Sequence, residues 1–115
     1  MSAVHTCNWR GKSGRDYFYW IYPLPVSFDL SQDGNYIFAR LDAIFRWVPI
    51  YIGQGNLNNH ANSHPQAACI RTRGASHLHG RVNRAERDRL AEEGDLLANY
   101  TQAYQPTGCN ERSED

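Results

Sequence analysis

The chain has 115 residues, of which 41% are apolar and 21% charged, and its twelve basic and twelve acidic side chains leave no net charge. That is enough for one domain with one modest core, and too apolar for a disordered polyelectrolyte. No apolar run approaches the roughly 20 residues that span a bilayer, so no membrane partner is expected, and neutrality argues against strong non-specific attraction to polyanions.

Residues 1–16 are polar, contain Gly11 and Gly14, and read as an N-terminal arm ahead of a domain over residues 17–111 and an acidic tail over 112–115. They lack a charged start followed by an apolar core, so no secretory signal is expected. Residues 17–22 (Tyr-Phe-Tyr-Trp-Ile-Tyr) are aromatic and β-branched and stop at Pro23 and Pro25, which predicts a strand. Ser31-Gln32-Asp33-Gly34 is a turn signal. Residues 35–40 and 47–52 are predicted as the second and third strands, with 41–46 as a hairpin loop, and Gly53-Gln54-Gly55 is expected to end the third. Residues 57–68 predict a helix with Asn56 as N-cap, shortened or kinked by Pro65. Alternation over 76–82 predicts a strand. Asn83 is the expected N-cap of a helix over 84–100, which Gly94 weakens. The order β-β-β-α-β-α implies an α/β (α+β) fold: a small mixed sheet of three to four strands, flanked by helices.

Cys7, Cys69 and Cys109 are an odd number, far apart, and form no CxxC pair. That argues against structural zinc and against a disulfide framework, and makes a reducing, cytoplasmic compartment the expectation. Charge is unevenly spread. Between residues 71 and 89 six arginines face two acids, a net of +4, whereas from residue 91 onward there are six acids and one arginine. Lys12 is the only lysine. Arginine forks suit bidentate phosphate contacts. Arg71, Arg73, Arg81 and Arg84 are therefore candidates for a phosphate-facing patch; the alternative is a solvated helix face with an acidic tail.

Four groups of side chains bear on chemistry. Tyr36 and Tyr51 fall on neighbouring predicted strands, either as functional phenols or as strand tyrosines with rings in the core. His60 and His64 share a helix face at i, i+4 spacing; surface histidines and a transition-metal pair lacking an obvious third ligand are the alternatives. His77 and His79 share a strand face, for binding or as part-buried strand histidines. Glu93 is a candidate carboxylate ligand, or one of a solvated acidic face with Glu92 and Asp95.

The pattern Gly34-Asn35-Tyr36-Ile37-Phe38, then Pro49-Ile50-Tyr51-Ile52-Gly53-Gln54-Gly55, with Glu93 before Leu96-Leu97 and Asn110 downstream, resembles the GIY-YIG nuclease superfamily over residues 34–111. The resemblance implies a metal-dependent endonuclease that hydrolyses DNA phosphodiesters with one divalent ion, Mg2+ or Mn2+, on Glu93. It implies that Tyr36 helps deprotonate the attacking water, Tyr51 orients it, His64 assists, and Asn110 fixes a loop near the site. Its register selects Glu93 over Glu92. Three features depart from it. Asn35 replaces an apolar residue, fourteen residues separate the tyrosines, and His60 stands where an arginine is usual. The substitution at His60 leaves open a binding module that no longer cleaves. A protein-interaction domain docking through the sheet edge of residues 17–22 is the third reading, and a homodimer through that strand suits all three.

Overall fold

The computed structural model describes residues 5–28 and 32–112, apart from the Asn62 side chain. Its elements are β1 (His5–Arg10), β2 (Asp16–Pro23), β3 (Asp33–Leu41), β4 (Trp47–Asn56), α1 (Leu57–Asn62), α2 (Ala67–Thr72), β5 (His77–Val82), α3 (Glu86–Asn99) and a 3-10 turn, Thr101–Ala103. The fold is mixed α+β. Its sheet, however, has five strands in the order β1-β2-β5-β3-β4, and every ladder is antiparallel. The expected mixed sheet of three to four strands is corrected on both points. Two short helices carry the chain from β4 back to β5, which inserts between β2 and β3 and runs against both.

The fifth strand comes from residues expected to be an arm. β1 pairs with β2 along its whole length because Trp9 is anchored: it is buried, and its indole Nε1 donates to His79 Nδ1 at 2.9 Å. The loop after β1 is tied to α3, where Asp95 accepts from the Ser13 amide and hydroxyl and from the Tyr17 hydroxyl. β2 is therefore an interior strand, paired with β1 over residues 16–21 and with β5 over residues 20–23, which argues against docking or dimerisation through its edge.

Side chains alternate across the sheet. One face, with Trp9, Tyr17, Tyr19, Ile37, Ala39 and Ile52, packs on Leu96 of α3. The other, with Tyr36, Phe38 and Leu78, packs under α1 and α2 through Leu57 and Ile70. A bulge where Phe38 pairs Tyr51 and Ala39 pairs Pro49 leaves Ile50 unpaired and turns it to the second face.

The boundaries differ from expectation in three places. β4 runs through Gly53-Gln54-Gly55 to Asn56 instead of ending there, still paired with β3. The helix expected over 57–68 is two, broken at 63–66 around Pro65, which has no N–H to donate. Asn56 caps α1 as expected, accepting from the Asn59 amide at 2.9 Å, but the N-cap of α3 is Ala85, without a side-chain bond. Asn83 is engaged elsewhere, as shown below. Part of the turn expected at 31–34 and the tail from residue 113 lie outside the described residues.

Cys69 of α2 and Cys109 form a disulfide, contrary to the expectation of none. They are 40 residues apart and meet only because α2 packs against the segment after α3. Cys7 is free. A disulfide is at odds with the reducing cytoplasmic compartment the cysteine spacing suggested. Among the described residues no helix is long and apolar enough to cross a membrane.

Candidate active site

The second face of the sheet carries a cluster of two phenols and two imidazoles. Tyr36 stands mid-strand on β3, opposite Gly53 of β4 and Gly80 of β5. Its ring lies over Gly53: a Cβ there would be 2.5 Å from the Tyr36 hydroxyl and 2.8 Å from the Tyr51 ring. His60 in turn lies over Gly55, where a Cβ would be 2.8 Å from its Nε2. The two glycines that were expected to break the strand instead make its floor low enough for these rings.

The Tyr36 hydroxyl is 2.8 Å from His64 Nε2 and 3.2 Å from His60 Nδ1. His60 lies on α1, but His64 lies just past the α1 C-cap, Ser63, so the two do not share a continuous helix. The break at Pro65 still brings their ring centroids within 5.3 Å. The hydrogen positions follow from the partners. The Gln66 amide donates to His64 Nδ1 at 2.9 Å, so a neutral His64 carries its hydrogen on Nε2 and donates to Tyr36. The single Tyr36 hydroxyl hydrogen is then left for one of two acceptors, His60 Nδ1 or the Tyr51 oxygen. Burial keeps His64 neutral, lowering its pKa to about 4 with a smaller push from His60. Burial also lowers His60.

The phenols are not equivalent. Tyr36 is 1% exposed, and burial, then the neighbouring charges of Tyr51 and Glu93, raise its pKa far above the ordinary value. Tyr51 is half-buried; burial, Glu93 and Glu111 raise it, but the Tyr36 hydroxyl favours its ionised form. Their rings stack with centroids 6.1 Å apart. Glu93 of α3 is close enough for its charge to act on both, and burial raises its own pKa. Asn110 clamps this end of β4. Its side chain donates to Ile52 O and accepts from Ile52 N, both at 2.9 Å, as a paired strand would.

Tyr36, Tyr51, His60, His64 and Glu93 thus share one neighbourhood, with Asn110 one strand position away. Of the four arginines only Arg71 joins them: with Phe38, Ile70, Ala75 and the two histidines it lines a cavity of about 400 Å³. Arg73 lines a separate hollow with Arg40 and Thr107. Arg81 points to the α3 side, 3.4 Å from Glu92, and Arg84 is exposed between β5 and α3. His79 is on the α3 side as well, fully buried, opposite Ile37.

Several positioning residues are not evident from the sequence. Asn35, the polar departure in the first tripeptide, donates to Arg89 O of α3 and accepts from Asn83. Asn83 also donates to Glu92 Oε1. Glu92 accepts the buried Tyr19 hydroxyl. Arg89 donates to Gln54 Oε1 of β4 and to two backbone carbonyls. This network locks the register of α3 against β3 and β4, and so the position of Glu93. The polar residue within an apolar tripeptide was the one signal available.

Among the described residues no three His, Cys, Asp or Glu side chains converge as a metal cage. A half-buried carboxylate whose charge reaches both phenols suits a hard ion such as Mg2+ that keeps water and phosphate ligands, and does not suit zinc. Comparison with family models, with curated proteins and with solved structures finds no match.

Proposed function

We propose that the protein is a metal-dependent endonuclease that hydrolyses DNA phosphodiester bonds in the manner of GIY-YIG nucleases. The observation that carries this reading is the meeting of two strand phenols and a helical carboxylate, far apart in sequence, beside two neutral imidazoles. Tyr36 is a fixed element. Its hydroxyl accepts from His64 and is held against His60, so it orients its neighbours and does not accept a proton from water. Tyr51 is the more exposed phenol; burial, Glu93 and Glu111 hold its pKa above the ordinary value. It therefore keeps its proton and orients the attacking water by a hydrogen bond, the role the resemblance implies for it, with the water's proton passing to solvent. Glu93 would hold one Mg2+ or Mn2+, whose charge offsets that of the phosphoryl oxygens when it is bound. Arg71 meets the phosphate backbone from α2.

Supercoiled plasmid nicking with Mg2+ or Mn2+ tests this. Glu93→Ala and Tyr51→Phe should each lower the rate about 100-fold or more, the scale of losing a positioned electrostatic or hydrogen-bonding partner of the reacting groups. Nicking that survives both substitutions removes the mechanism. A second reading, a nucleic-acid-binding module without cleavage, is favoured by His60 in the usual arginine position and by the burial of Tyr36. Retained DNA binding with no nicking selects it.

A further inference from the structure

The cavity beside the phenol–imidazole cluster has no occupant in the hydrolysis just described, where of its lining only Arg71 meets the substrate backbone. It measures about 400 Å³, the range of small-ligand pockets. Its walls are unlike in kind. Phe38 of β3, Ile70 of α2 and Ala75 make an apolar interior, while His60 and His64 form one polar side. Those imidazoles present one flank to the cavity and the other to the Tyr36 hydroxyl, so an occupant sits directly behind the candidate reaction centre. Arg71 is the only charged residue of the lining, is exposed, and makes no ion pair among the described residues. The matching ligand has an uncharged, flat, mostly apolar body, polar edges, and one anionic group.

We propose that this cavity takes one unpaired nucleobase of the substrate strand, packed on the apolar wall of Phe38, Ile70 and Ala75, with the adjoining phosphate on Arg71. The inference rests on reading the site as one that cleaves a nucleic-acid backbone, and deepens it. A base held here has its own backbone carried toward Tyr36 and Tyr51. A base still paired in a duplex cannot enter without leaving its stack, which costs a few kcal/mol. The preferred substrate is therefore single-stranded, mismatched or flapped nucleic acid.

The probe is a short single-stranded oligonucleotide with one 2-aminopurine between thymines, titrated with the full chain in EDTA so that nothing is cleaved. Parallel titrations use the same strand with an abasic site at that position and the same strand annealed to its complement. The single strand should change its fluorescence on binding and bind about tenfold more tightly than the abasic one, the scale of one lost stacking contact. Ala75→Trp, which fills the cavity, should abolish that preference, and Arg71→Gln, which removes a phosphate contact both strands share, should weaken the intact and abasic strands alike. Equal affinity for intact and abasic strands by the unmodified protein overturns the proposal, as does preference for the duplex. These outcomes separate from the nuclease reading. A fluorescence response with no nicking in Mg2+ sinks cleavage and keeps the pocket, whereas nicking with no intact-over-abasic preference sinks the pocket alone.

Discussion

Acid should destabilise this protein through its buried histidines. His64 is 8% exposed, and burial, then His60, push its pKa down to about 4. In the unfolded chain it titrates at about 6.5. Between those values the unfolded state binds a proton that the folded state does not. Stability is therefore complete above pH 6.5 and falls as pH drops toward 4. At about 1.4 kcal/mol per pH unit, His64 alone should remove about 3 kcal/mol. His79, fully buried and pushed down to about 3 by burial and then by His77, adds a loss of the same sign that extends to lower pH. Glu92 and Glu93, raised by burial, oppose both near the carboxylate range, because the folded chain holds their protons more tightly. The groups facing His64 are Tyr36, Tyr51, Phe38 and His60, and of these only His60 titrates in the window. Urea unfolding at pH 7 and pH 4 should show the unmodified protein losing about 2–3 kcal/mol more than His64→Gln, which cannot titrate. Equal losses in the two proteins would refute the assignment of His64 as a buried neutral group.

Gly53→Ala should force the Tyr36 and Tyr51 rings apart, since the new methyl would lie 2.5 Å from the Tyr36 hydroxyl and 2.8 Å from the Tyr51 ring. A cost of about 1–3 kcal/mol and slower plasmid nicking are expected; full stability with full nicking contradicts the ring placement. Asn110→Ala removes both bonds to the Ile52 backbone and should cost about 2–6 kcal/mol at about 1–3 per buried group left unmatched. An unchanged urea midpoint would show that water replaces the side chain. Cys69→Ser opens a link across 40 residues and should cost about 3–4 kcal/mol, matched by adding reductant to the unmodified protein. Three titratable thiols in the folded, unreduced protein would rule the bond out.

Local pattern carried much of the architecture. Aromatic and β-branched runs marked β2, β3 and β4, the alternation of 77–82 marked β5, and Asn56 marked the start of α1. Those signals are properties of a few consecutive residues, and survive because tertiary packing agrees with them. β1 was missed because its single anchor, Trp9, depends on His79, seventy residues later. Gly53 and Gly55 misled because glycine lowers strand propensity, yet here the missing Cβ is what the overlying rings require. Asn83 misled for a similar reason: its side chain serves Asn35 and Glu92 instead of a helix cap.

By itself the sequence determined the α+β character, the two tyrosines on adjoining strands, and a carboxylate-bearing helix after them. Each of these is written in spacing along the chain. Tertiary structure alone decided that Glu92 is engaged by Tyr19 and Asn83, that Tyr36 is locked between imidazoles while Tyr51 stays more exposed, and that Arg71 alone of four arginines lines the cavity beside them. Those outcomes depend on helix rotation and burial. Both are set by the Asn35–Asn83–Glu92 network and the Cys69–Cys109 link, contacts between residues whose separation in sequence carries no sign of their meeting.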